Sequence, residues 1–115
     1  VLHGRAEEFG QNKTYRQKFD VAVSRAVGKV SEVLEYALPL VKVGGRALLL
    51  KASKAEEELA AAGDALAQLG AGDLQVFEAY PQEFNSELVI ISVMKDRATP
   101  ALYPRRPGIP RTMPL

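Results

Sequence analysis

The sequence predicts an α/β domain built on a mostly parallel sheet that closes with an antiparallel hairpin. Three observations carry this. Short, continuously apolar segments alternate with a segment of helical periodicity, which is the pattern of parallel strands joined by crossover helices. The last two apolar segments have no helix between them, which calls for a hairpin. The chain has 115 residues, 47% of them hydrophobic, enough for one modest core and too few for two.

The elements follow in order. VLHG (1–4) reads as the end of a strand, and the chain as part of a longer protein. RAEEFGQN is polar and loop-like, with a short helical turn possible before Lys18. FDVAVS (19–24) is short and apolar, as a strand buried on both faces is. Residues 30–41 place Val30, Val33, Leu34, Ala37, Leu38 and Val41 on one helical face, with Glu32 and Glu35 opposite. Pro39 kinks or ends this helix, and Gly44-Gly45 stops it and turns the chain.

RALLLKA (46–52) is the next strand. Ser53 with Glu56 makes a capping box for a second helix, whose buried face is Leu59, Ala62, Leu66 and Leu69 and whose end is Gly70. DLQVFEAY (73–80) alternates as a strand, PQEFNS is a turn, and the β-branched ELVIISVM (87–94) is the last strand. Residues 97–115 hold five of the seven prolines, so this tail is expected to be extended and irregular.

Composition excludes several chemistries. There is no cysteine and one histidine, His3. Disulfides, thiolate metal sites and thiol nucleophiles are ruled out, and a Ser-His-Asp triad or a histidine metal site has little to be built from. No metal site is expected. No apolar run reaches the ~20 residues of a membrane span. A cytoplasmic protein is the simplest expectation. The net charge of +1 is unevenly spread. Residues 1–96 carry 11 Lys and Arg against 14 Asp and Glu, whereas residues 97–115 carry four arginines and no acid. We therefore divide the chain into a body, 1–96, and a basic tail, 97–115.

In an open parallel sheet, ligands bind beyond the carboxyl ends of the strands. Three polar groups are expected at that rim: Arg5-Ala6-Glu7, Ser24-Arg25 and Lys51. Two cations and a carboxylate there suit a ligand with an anionic group and a hydrogen-bonding base, although each alone is also an ordinary solvated strand end. Glu56, Glu57 and Glu58 read as a helix amino-terminal cluster. Tyr80 and Phe84 read as packing groups.

HGRAEEFG, FDVAVSRAV, LEYALPLVKVGGRALLLKA, EEELAAA and TPALYPRRPGIPRTMPL, in this order and spacing, resemble the carboxyl-terminal half of the glucose-inhibited division protein B (GidB) family. These are bacterial 16S rRNA guanine-N7 methyltransferases that use S-adenosyl-L-methionine. The resemblance implies a Rossmann-like class I methyltransferase sheet of strand order 3-2-1-4-5-7-6. This chain would supply the end of the third strand and strands four to seven. It places Ala6 and Glu7 beside the cofactor adenine and Arg25 in the cofactor site. Lys51 and Arg5 become candidates for contact with substrate RNA, as do Arg105, Arg106 and Arg111 of the tail. The partner is 16S rRNA or the small ribosomal subunit. No catalytic base is required, because guanine N7 already carries an in-plane lone pair and needs only placement.

Departures are visible. Ala52 stands where the family often has glycine, and Asn85-Ser86-Glu87 where it usually has an Arg or His pair. The family's glycine-rich cofactor loop and ribose-binding acid have no counterpart in these residues. Hence the separate chain is expected to be inactive. FDVAVS, lacking its neighbour, is expected to self-associate or to be ordered only within a larger polypeptide. The alternative is a non-enzymatic RNA-binding α/β module that works through its basic tail.

Overall fold

The computed structural model describes residues 6–25, 29–51, 55–78 and 89–115. The elements are α1 (Ala6–Gln11), β1 (Phe19–Arg25), α2 (Val30–Ala37), a 3₁₀ turn (Leu38–Leu40), β2 (Val41–Lys51), α3 (Ala55–Ala61), α4 (Gly63–Leu69), β3 (Ala71–Glu78), β4 (Val89–Lys95) and α5 (Ile109–Thr112). VLHG, Ser53, Tyr80, Phe84 and the turn PQEFNS lie outside the described residues.

The sheet order is β1-β2-β4-β3. β1 and β2 are parallel, and β4 is antiparallel to both β2 and β3. This is the expected α/β arrangement: a parallel pair, then a final antiparallel hairpin whose second strand inserts beside β2. It matches the 4-5-7-6 part of the strand order that the resemblance implies. Among the described residues β1 pairs with β2 alone. Its other edge has no partner strand among the described residues, and Phe19, Val21 and Val23 are exposed on its uncovered face.

One face of the sheet is covered by helices. Ala47 and Leu49 of β2 and Ile91 and Val93 of β4 point into the core, where they meet Val30, Val33, Leu34 and Leu38 from the α2 region and Ala65 and Leu69 of α4. The other helices gather around α2. The opposite face carries Leu48, Leu50, Ile90 and Met94, all only half-buried.

Several expectations are corrected. RAEEFGQN is not a loop: Ala6–Gln11 is helical. Gly44-Gly45 does not stop a helix, because β2 already begins at Val41. Phe19 pairs with Val41 but Val21 with Arg46, so β2 carries extra residues as a bulge. Gly44 takes φ +92 within it. A Cβ at Gly45 would strike the Asp20 carbonyl oxygen, so the two strands approach closely only at a glycine. The second helix is two, α3 and α4, broken where the Ala62 N–H bonds to the Leu59 carbonyl. Gly70 does end α4, with φ +91. The tail is irregular as expected except for α5.

Lys95, at the end of β4, is fully buried. Its Nζ donates to the carbonyls of Leu38 and Val41, each at 2.8 Å. It thereby ties the last strand to the turn between α2 and β2. Burial, with a smaller contribution from the nearby Arg16 cation, pushes its pKa down to about 8. Between about pH 8 and the ordinary 10.5 the unfolded chain holds a proton that the native chain has released. Stability contributed by this group therefore rises with pH across that window, and below it the native state bears the cost of a buried charge. Urea unfolding at pH 7.5 and pH 10 should show native protein gaining on Lys95→Met as the pH rises. A constant difference would show that Lys95 is not depressed.

Candidate cofactor cavity and basic tail

The first turn of α1, the end of β1 and one side of α2 border a half-open cavity of about 170 Å³. Ala6, Ala22 and Ser24 line it, with Val33, Tyr36 and Ala37 from α2. Register explains how β1 contributes. Ala22 and Ser24 share the helix-covered face with Ala47 and Leu49, and they are half-buried there. Ser24 Oγ donates to the Arg25 carbonyl at 3.2 Å. Tyr36 Oη donates to Glu32 Oε1 at 2.7 Å, which orients the ring on its own helix. The cavity is smaller than the roughly 300–1,000 Å³ of a whole small-molecule pocket, so it suits a single ring rather than a complete ligand.

The structure brings Ala6 and Ser24 to one cavity. Arg25 follows directly but is exposed and shares the uncovered face with Val21 and Val23. The backbone of Glu7 lies in α1, whereas its side chain and all of Arg5 lie outside the described residues.

Lys51 does not converge with Arg25. It is buried, and its Nζ lies 3.0 Å from Glu58 Oε1 of α3. The same oxygen accepts the Val30 N–H at the start of α2, also at 3.0 Å. Glu58 thus joins the end of β2 to the amino terminus of α2, where negative charge is favoured. The sequence shows Glu58 only as one of three consecutive glutamates, and nothing in its spacing picks it out.

The tail is fastened to the body through residues that carry no sequence motif. Arg16 donates to four carbonyls: Gly10, Thr99, Pro100 and Tyr103. Gln11 Nε2 donates to the carbonyls of Ala101, Leu102 and Pro104. Glu35, expected on the exposed side of its helix, is instead fully buried. The tail covers it. Arg105 Nη2 lies 2.8 Å from Glu35 Oε1, and the Arg105 backbone N–H donates to Glu35 Oε2 at 2.7 Å. This carboxylate holds the Arg105 guanidinium above its ordinary pKa. Arg106 and Arg111 are exposed. Of the three tail arginines expected to contact RNA, Arg105 is thus committed to packing and the other two face solvent.

A family model described as rRNA small subunit methyltransferase G matches residues 1–86. Among similar curated proteins, a ribosomal RNA small subunit methyltransferase G of Exiguobacterium sp. is 47% identical over 113 residues. That match covers 98% of this chain and 48% of the relative. Proteins of the same description from Lactobacillus acidophilus and Leuconostoc citreum are 45% and 44% identical over 115 residues, covering all of this chain. The chain spans about half the length of the curated relatives it matches.

Proposed function

The chain belongs to the rRNA small subunit methyltransferase G family, and from that membership we propose that it forms the carboxyl-terminal part of an S-adenosyl-L-methionine-dependent 16S rRNA guanine-N7 methyltransferase. The observation that best supports this is the single cavity shared by Ala6 and Ser24 at the carboxyl end of β1, where α/β sheets take their ligands.

The residues present fit part of the cofactor. The cavity walls are mainly carbon, as a purine ring requires. The Ala6 N–H belongs to the first turn of α1, where backbone donors have no partner within the helix, and it suits an adenine ring nitrogen. Glu7 would accept from the exocyclic amine, and Arg25 would hold an anionic or acceptor group at the rim. S-adenosyl-L-methionine supplies an electrophilic methyl group when bound. The chain's own residues then have only to orient and exclude water, since guanine N7 needs no general base. Arg5, Arg106 and Arg111 remain candidates for RNA contact in this reading, whereas Lys51 is buried against Glu58. Arg105 serves by fixing the tail.

The open edge of β1 is where the same reading places the neighbouring family strand. In the separate chain it is a surface on which a second copy would pair.

The test joins this chain to the amino-terminal half of the Exiguobacterium relative and follows labelled methyl transfer to 16S rRNA. Calorimetry on the joined protein should show Arg25→Ala weakening cofactor binding by roughly 1.5–3 kcal/mol. Unchanged affinity removes Arg25 from the site. A joined protein that folds but binds no cofactor sinks the reading as a whole.

A further inference from the structure

A second concavity lies on the other side of α1. Between α1 and residues 102–109 is an open cleft of about 560 Å³. Its wall is carbon, from Leu102, Pro104, Pro107 and Ile109. Glu8 and Arg106 stand on its rim, both exposed. Leu102 is 65% exposed, and Gln11 Nε2 donates to its backbone carbonyl.

The cleft is preformed. Gln11 binds the carbonyls on one wall, and Arg105 is clamped by Glu35 behind it. Two prolines give the wall flat, stiff surfaces whose backbone torsions are already fixed. Of the tail's four arginines Arg105 and Arg106 line the cleft, and with Arg105 paired to Glu35 it is Arg106 that its lining offers to an anion. A carboxylate at one edge can accept from ring N–H and amino groups. A guanidinium at another can take a phosphate. An apolar slot with these two ends matches one unstacked nucleotide of a single strand. An acidic protein segment would meet the tail's charge but would bring its own carboxylates against Glu8.

We propose that this cleft seats an unstacked base of single-stranded RNA, with its phosphate on Arg106. This rests on the rRNA reading above and adds a second contact to it. α1 has six residues, roughly 9 Å at 1.5 Å each. Ala6 lines the cofactor cavity and Glu8 lines the cleft. The helix is therefore a short partition between the two.

The experiment is fluorescence anisotropy on the full 115-residue chain, with a labelled single-stranded RNA of about nine nucleotides and a duplex of the same sequence. The variants are Leu102→Asp and Arg106→Ala, both at exposed positions, with unchanged thermal unfolding as the check on folding. Single-stranded RNA should bind better than duplex. Leu102→Asp should weaken it by about tenfold, the scale of one lost base-stacking contact. Arg106→Ala should flatten the salt slope by about 0.7. Binding that ignores both substitutions, an equal preference for duplex, or no RNA binding at all overturns the cleft as a base site. Methyl transfer by the joined protein is read separately. If it persists while the cleft variants change nothing, this inference has failed and the methyltransferase reading has not.

Discussion

Arg105→Ala should lower the unfolding free energy by about 3–5 kcal/mol, the cost of stranding a buried charge. Glu35 has no exposure to water, and its two oxygens are met by Arg105 Nε, Nη2 and the Arg105 backbone N–H. Only the backbone donor survives the substitution. The Arg105 Nη2 bond to the Met113 carbonyl, 2.7 Å, is lost as well, so the end of the tail should loosen with it. Urea denaturation gives the measurement. A loss below about 1 kcal/mol would mean that the pair behaves as a surface ion pair. Adding Glu35→Met to Arg105→Ala should recover much of the loss, because the penalty lies in the orphaned carboxylate rather than in the absence of attraction.

Gly70→Ala should cost about 2–5 kcal/mol, combining a left-handed backbone penalty of about 1–2 kcal/mol with overpacking of about 1–3 kcal/mol. Gly70 caps α4 at φ +91, and a Cβ there would collide with the Arg97 carbonyl oxygen. The Asp96 and Arg97 N–H groups both donate to the Gly70 carbonyl. The turn into β3 and the start of the tail are therefore one packed unit, and neither backbone can retreat without breaking these bonds. A thermal melt that leaves Gly70→Ala within about 1 kcal/mol of the parent would show that the tail start yields, as typical surface sites do.

The parts of the fold legible in the sequence are those fixed by local pattern. FDVAVS and ELVIISVM announce strands through continuous apolar or β-branched runs, and Gly70 marks a helix end through its freedom at positive φ. Element order implied a parallel pair and a closing antiparallel hairpin, while the insertion of the last strand beside β2 came only from the family resemblance. What the pattern missed was decided by contacts between distant segments. Glu35 reads as solvent-facing on its own helix and is buried only because Arg105, 70 residues later, covers it. Gly44-Gly45 reads as a stop signal but lies in β2, where its purpose is the approach to Asp20. At the candidate site, the family resemblance anticipated Ala6 next to the strand end of Ser24-Arg25. The pairing of Lys51 with Glu58 had no local signal at all.

Arg16, Gln11 and Gln17 bind tail groups 82 to 93 residues away along the chain. Loops this long close slowly and only after the intervening sheet exists to bring their ends together. Every partner of Arg16 beyond Gly10 is such a long-range one, so these contacts form after the sheet that lies between. The wall formed by residues 102–109 is then completed late, against the locally formed α1. Occupation of the cleft would act on that step, and a nucleotide seated against Leu102 would hold closed a clasp that the domain fastens late.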